Sequence, residues 1–572
     1  MMATPDNSTH DVVIVGAGAA GLTAAIVAAH AGLRPIVLEK APVFGGTTAF
    51  SGGVLWIPGN SHARRNGIAD SSDAARTYLR HEAGNRYRED VTDMFLRHGP
   101  EMLDYLEAHS EVRFQPSEYP DYHPEAPGGV QRGRSVTTAP FDGRRLGRDL
   151  HRLRPPLRSI TFLGMMFNSA NTDLKHFYNV TRSLKSAGYV AKRLAVHMAH
   201  LLRHRRGVQL TSGNALAARL ARSVLDLGIE IVTGADVREL IVEHGAVTGV
   251  IASIDGRDRT FRAGRAVILA SGGFARDGAR VAERYAHLGP GTPHLSPVPD
   301  SVTGDGIDMA ERAGAAFAGD YPNAAAWMPV SRVPGPTPLA FPHLVDRYKP
   351  GFIMVGAAGR RFVNESHSYH DVGAAMQAAR GAADTARAWL IADHRAVRKY
   401  GIGFAKPAPM PIQLYLRSGY LVRADSIAGL AQRIGVDADA LQATIASFNA
   451  GAAHGEDAAF GRGSTGFNRY LGDAEHQPNP NVAPIVKGPF YAVELRIGDL
   501  GTFEGLSTDR YGRVLRADGS PIDGLYAVGN DMASMMGGAY PGAGITLGPA
   551  MTFGYVAARH IAGDLPGEPV AA

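Results

Sequence analysis

Asp11-Val12-Val13-Ile14-Val15-Gly16-Ala17-Gly18-Ala19-Ala20-Gly21 is the stretch of this 572-residue chain that decides its fold. The β-branched run reads as a strand, the spaced glycines as a tight turn, and the alanine-rich residues 22–31 as a helix. Gly16 and Gly18 let backbone approach a pyrophosphate. Ala19, Ala20 and Gly21 open a helix whose unpaired N–H groups and positive dipole end suit an anion. A second strand over 35–38 ends in Glu39, 23 residues after Gly16, where a carboxylate can accept the hydrogen bonds of an adenosine ribose, with Lys40 beside it. A bare tight turn would need neither the helix nor the acid. Strand, helix and acid in register predict a dinucleotide site.

The loop that follows chooses between nicotinamide and flavin. Phe44-Gly45-Gly46-Thr47-Thr48-Ala49-Phe50-Ser51-Gly52-Gly53 comes directly after the acid, and its glycines and hydroxyls at Thr47, Thr48 and Ser51 can run beside an extended FAD. Three more segments point the same way: a strand-turn-strand pattern over 234–252 that includes Val237, Val267-Ile268-Leu269-Ala270-Ser271-Gly272-Gly273, and Gly524-Leu525-Tyr526-Ala527-Val528-Gly529-Asn530. Ile545 and Leu547, farther along the same returning segment, are also expected to contact the cofactor. Together these segments resemble the FAD-binding domain of the glutathione-reductase-like flavoproteins. The expected fold is α/β, a Rossmann FAD-binding domain over 1–319 and 500–572 with an inserted α+β substrate (cap) domain over 320–499. No second strand-glycine-helix unit is visible, so the hydride is expected from the substrate and not from NAD(P)H. No histidine occurs between residues 31 and 60, which predicts FAD held without the covalent histidine link of the succinate dehydrogenase branch.

Composition removes other chemistries. The chain has no cysteine, which excludes disulfides, thiolate-bound clusters and thiol catalysis. A net charge of +5 is too small in a chain this long to argue for nucleic acid. The 22 histidines show no metal spacing; His197 and His200 share a helix face without a carboxylate nearby, so no metal is expected. No long apolar run and no secretory signal are apparent, and a cytoplasmic protein is expected.

Tyr540-Pro541-Gly542-Ala543-Gly544 follows the Gly529-Asn530 segment and puts a phenol and a bare amide where they can donate to one ketone oxygen beside a redox ring. With Asp121-Tyr122, the glycine-rich loop and Gly359-Arg360-Arg361-Phe362-Val363-Asn364-Glu365-Ser366-His367-Ser368-Tyr369, it resembles the bacterial 3-ketosteroid Δ1-dehydrogenases, relatives of the fumarate reductase flavoproteins. The resemblance covers nearly the whole length. It implies catalytic residues Tyr122, Tyr369, Tyr540 and Gly544. Tyr540 and Gly544 would polarise the 3-ketone, Tyr369 would take the C2 proton with help from Tyr122, and flavin N5 would receive the C1 hydride. It also implies a quinone or other electron acceptor, and it sets the segment around Glu365 against the flavin region in a structural or cofactor role. Tyr119 and Tyr178 are read as packing residues.

Three rival readings stay open. A dicarboxylate or enoate reductase would need cationic clamps, which Arg360 and Arg361 do not obviously supply. A Δ4-dehydrogenase of the same family would carry serine where this chain has Gly542. A flavin-containing membrane-surface binding protein would work through residues 150–206. That segment holds eleven Lys and Arg against one acid, Asp173. Ala187, Val190, Ala191, Leu194, Met198, Leu201 and Leu202 fall on one helical face, and Ile160 to Phe167 is strongly apolar. The segment can contact the inner face of the cell membrane peripherally, or pack its apolar face on the protein.

Overall fold

Val12, Val13 and Ile14 are completely excluded from solvent, which a strand achieves only when both faces of its sheet are covered. The computed structural model describes residues 8–167, 172–288, 294–336, 338–380 and 386–565. In it Ser8–Val15 lies inside an eight-stranded sheet. Pro35–Glu39 and Arg257–Leu269 flank it in parallel, and Ile231–Thr233 and Pro521–Ala527 extend the parallel part outward. The crossover between the first two strands is Ala19–His30, the helix predicted behind the glycine turn. It packs against the final helix, Leu547–Ala562. The pattern over 234–252 is the hairpin Asp236–Glu243 and Ala246–Ile254, whose next strand re-enters the parallel sheet.

A second sheet of six strands, antiparallel throughout, is built between Ala325 and Thr502. Its long strand Phe490–Thr502 runs past position 499 and still pairs at its end, Thr502 opposite Ala325. Tyr369–Ala378 is a helix laid on Ala325–Val333. Two helices, Ile427–Ile434 and Ala438–Ala452, stand in this part of the chain. Gly435, with φ of 73°, closes Ile427–Ile434, and the Asp437 carboxylate accepts from Ala440 N–H to start Ala438–Ala452.

The basic segment forms Leu184–His204. Its apolar face is split. Ala187, Val190, Ala191 and Leu194 turn to an internal cavity, whereas Leu202 is 85% exposed and Leu184, at the helix start, 93%. His197 Nε2 lies 2.9 Å from the Leu163 carbonyl, and no group of three or more metal-ligating side chains occurs among the described residues. Among them no helix is long and apolar enough to cross a membrane.

Under the second sheet a fully buried carboxylate, Glu365, pairs with Arg361 at 2.7 Å and Arg462 at 3.2 Å and accepts from Met354 N–H at 2.9 Å. Arg361 also binds Asp457 at 2.7 Å. The guanidiniums hold Glu365 below the usual carboxylate range against the opposing effect of burial. Glu365 is therefore structural. Removing one member of a buried ion network strands its partners, so Glu365→Ala should lower stability by about 3–5 kcal/mol, read as a fall in thermal or urea midpoint.

Candidate active site

One cavity of about 840 Å³ is lined both by the glycine turn and by the three tyrosines singled out above. Of the expected cofactor contacts, Gly16, Gly18, Ala19, Ala20, Glu39, Lys40, Gly46, Thr47, Thr48, Ser51, Gly52, Gly53, Val237, Ser271, Gly272, Gly529, Asn530 and Leu547 line it. Gly21, Gly45, Gly273 and Ile545 do not. A side chain at Gly21 would strike the Gly16 carbonyl, so this glycine lets the helix sit on the strand. Gly45 donates to Ala17 O at 2.9 Å and packs on Ala217. Gly273 donates to Asp531 at 2.8 Å, and Ile545 belongs to the hydrophobic core.

The residues present fit a dinucleotide. The cavity-lining amides of Gly18 and Ala20 have no acceptor among the described residues, leaving donors where a pyrophosphate would lie. Glu39 is buried. Its two oxygens accept from Ala17 N–H at 2.9 Å and Ala41 N–H at 3.0 Å; burial raises its carboxyl and these N–H groups oppose the rise. Lys40 is tied to Asp305 at 2.6 Å. Thr48 accepts from Ala19 N–H at 3.0 Å, and Ser51 donates to Thr48 O at 2.8 Å, so both hydroxyls also brace the loop. Asp531, which sequence reading missed, gathers Ser271 N–H and Gly273 N–H and shapes that turn.

At the other part of the cavity Tyr122, Tyr369 and Tyr540 meet. Tyr122 and Tyr540 stack with centroids 5.5 Å apart, and Tyr369 stands edge-on to both, at 5.8 and 5.0 Å. The Tyr369 hydroxyl is hydrogen-bonded to the other two. Gly544 completes the corner. Its N–H has no acceptor among the described residues, and with φ of 98° and the Val54 carbonyl where a Cβ would stand there is no room for a side chain. Burial raises all three phenols, Tyr122 and Tyr369 well above 10. Tyr369 is pushed further by its two phenol neighbours, whereas hydrogen bonds to Tyr369 and Thr546 oppose the rise at Tyr540.

Residues that sequence reading did not single out hold the corner in place. The Pro541 carbonyl accepts from Tyr122 N–H at 2.8 Å and from Tyr78 hydroxyl at 2.7 Å. Trp56 Nε1 donates to Asp121 at 2.8 Å, and Arg134 pairs with Asp121 at 2.8 Å and Asp70 at 2.9 Å, all buried. His123 bridges Glu82 at 2.8 Å and Asp371 at 3.1 Å. Burial alone would lower its imidazole, but the carboxylates more than reverse this, to about 10. It thus stays charged and ties the Tyr122 segment to the Tyr369 helix. Only Asp121 had a sequence signal, its place beside Tyr122. Tyr119 and Tyr178, read as packing residues, both line the cavity. Residues 364–366 do not, contrary to the expectation that their segment contacts the flavin region; only its end, Tyr369, reaches the cavity.

A Rossmann turn with an acid on the next strand, opening into a second chamber of proton-bearing groups, defines a flavin-type oxidoreductase. The FAD binding domain family matches residues 11–547. Similar proteins include 4-oxocyclohex-2-ene-1-carboxylate 5-dehydrogenase of Sinomonas cyclohexanicum, 41% identical over 96% of this chain and 93% of that one. They also include 3-oxosteroid 1-dehydrogenase of Mycobacterium tuberculosis (strain ATCC 25618 / H37Rv), 39% identical over 96% and 98%. The crystal structure of 3-ketosteroid Δ1-dehydrogenase from Sterolibacterium denitrificans in complex with 1,4-androstadiene-3,17-dione matches with a TM-score of 0.89 at 36% identity, covering 97% of this chain and 100% of that chain. The chain belongs to the family of FAD-binding flavoproteins that includes the 3-oxosteroid 1-dehydrogenases. Its cofactor is FAD. Glu39→Gln removes a charged acceptor from the dinucleotide site and should weaken FAD binding by about 10–100-fold, measured by flavin fluorescence during apoprotein titration.

Proposed function

We propose that this chain is an FAD-dependent 3-ketosteroid Δ1-dehydrogenase. The observation that carries the reading is the convergence of Tyr369, Tyr540 and the unpaired Gly544 N–H on one dry corner of the FAD cavity. Tyr540 hydroxyl and Gly544 N–H donate to the C3 oxygen, which stabilises enolate character and acidifies C2. Tyr369 takes the C2 proton. Since its own proton is firmly held, it must pass that proton to Tyr122 as it acts, and Tyr122 releases its own outward in exchange. FAD, when bound, accepts the C1 hydride at N5. The second sheet and its loops, residues 320–499, act as the substrate cap over an FAD domain formed by 1–319 and 500–572. With no histidine in the loop after the acid, FAD is held non-covalently.

Structure weighs against each rival. Any side chain at Gly542 would meet the Trp56 indole, so a serine there, as in the Δ4 enzymes, has no space. Arg361 is committed to Glu365 and Asp457, and neither it nor Arg360 lines the cavity, so these two arginines do not form a dicarboxylate clamp. A binding protein without turnover has no use for a hydrogen-bonded trio of phenols at a ketone donor.

Electrons then pass to a quinone or similar acceptor that enters the same cavity. We also propose that Leu163, Leu184 and Leu202, exposed apolar residues beside the Lys and Arg of 150–206, touch the inner face of the membrane peripherally. Leu184→Asp with Leu202→Asp should then reduce co-sedimentation with anionic vesicles.

Anaerobic addition of androst-4-ene-3,17-dione should bleach the flavin and yield a C1–C2 double bond; a C4–C5 product or no bleaching would refute the reading. Tyr369→Phe should cut kcat by about 10²–10⁴-fold with FAD still bound, and Tyr540→Phe should lower kcat and raise KM. Because burial holds the phenols above 10, the bleaching rate should climb with pH through pH 10. A flat profile from pH 6 to 10 with chemistry limiting would exclude a phenolate base.

A further inference from the structure

Lys406 is the one feature of the cavity wall that the chemistry above leaves unused. It lines the cavity, half-buried, with its ammonium over the rings of Phe341 at 5.6 Å and Phe404 at 5.2 Å. No carboxylate among the described residues forms an ion pair with it. Asp346 is close enough to act on its charge. That carboxylate is already engaged by His343 at 2.8 Å, Gly403 N–H at 2.7 Å and Arg347 N–H at 3.0 Å. Burial lowers the Lys406 ammonium to about 8. An ammonium in an apolar wall without an ion-pair partner is costly, and the two rings and the field of Asp346 offset only part of that cost.

The loop that carries Lys406 is held with unusual care. Ile402 and Ala405 exchange N–H···O bonds of 2.9 and 3.0 Å, closing a turn in which Gly403 has φ of 56°. Gly403 N–H donates to Asp346, and Phe404 N–H donates to Tyr420 hydroxyl at 2.7 Å. A buried chain joins these two anchors: Asp346 to His343, His343 Nε2 to Ser331 Oγ at 2.8 Å, and Ser331 Oγ to Tyr420 hydroxyl at 2.7 Å. The Asp-His-Ser order is that of a nucleophilic triad, yet Ser331 is 1% exposed and does not line the cavity. The network instead fixes the turn, and Pro407 stiffens the exit. Lys406 is a prepositioned cation.

The ketone corner and the dinucleotide site do not use it. The tyrosine trio packs with Phe467, Phe503 and His370. Lys406 belongs to a separate patch of wall with Phe341, next to the inserted segment around Ile160.

We propose that Lys406 binds an anionic group on the substrate, and that the substrates of this enzyme include 3-ketosteroids whose substituent remote from the ketone ends in a carboxylate. The proposal rests on the dehydrogenase reading. It is tested with the FAD-loaded full chain, 3-oxoandrost-4-ene-17β-carboxylate and the methyl ester of that acid. In Lys406→Met the acid-to-ester ratio of kcat/KM should fall by about tenfold or more, as expected for losing a charged partner in a dry site. Lys406→Arg should retain the ratio. An unchanged ratio in Lys406→Met overturns the proposal. If neither compound is turned over, the dehydrogenase reading fails. The ratio of dissociation constants, from anaerobic titration of the flavin spectrum, then still judges Lys406 by the same tenfold criterion. Lys406→Gln replaces the methionine variant should that one lose FAD.

Discussion

The Pro541 carbonyl, taking one hydrogen bond from Tyr122 N–H and one from Tyr78 hydroxyl, joins parts of the chain up to 463 positions apart. Everything catalytic here depends on that clasp. It sets the Tyr540 to Gly544 turn against the Tyr122 segment, and the buried Arg134 with its two aspartates holds that segment in turn. Truncating a hydrogen-bond partner at such a site leaves the other group unsatisfied in a medium without water, which is why backbone carbonyls make durable hinges for a site.

The same dryness that makes the corner effective makes its acid-base chemistry demanding. Donors to a ketone oxygen gain strength where water is excluded, and phenolates lose stability there for the same reason. The structure answers with a trio instead of a lone base. Tyr369 stands against two phenol neighbours, and the charged His123, held between Glu82 and Asp371, ties together the two segments that carry Tyr122 and Tyr369.

The dinucleotide site was readable because its residues are consecutive. A strand, three glycines, a helix and an acid lie within one short unit, and local backbone geometry dictates each residue type. The misses are residues of another kind. Gly21, Gly45 and Gly273 are glycines for packing or turn reasons and not for ligand contact, a distinction that motif spacing does not encode. Tyr119 and Tyr178 looked like any other tyrosine, and only the tertiary structure brought them to the cavity. The amphipathic helix in that segment was foreseen with one apolar face; the structure divides that face between cavity and solvent, because the helix is longer than the cavity it covers.

By itself, then, the sequence determined the α/β class, the glycine turn and acid of an FAD site from Gly16 to Glu39, the absence of thiol chemistry and, through family motifs, the four residues proposed for the ketone corner. Only the tertiary structure decided that Trp56 blocks Gly542, that Arg361 serves Glu365, and that Lys406 faces the cavity without a partner. The reason is physical. Local patterns specify what neighbours in the chain do to one another, whereas space, charge pairing and burial at a site are set by segments that meet only when the two sheets are packed together.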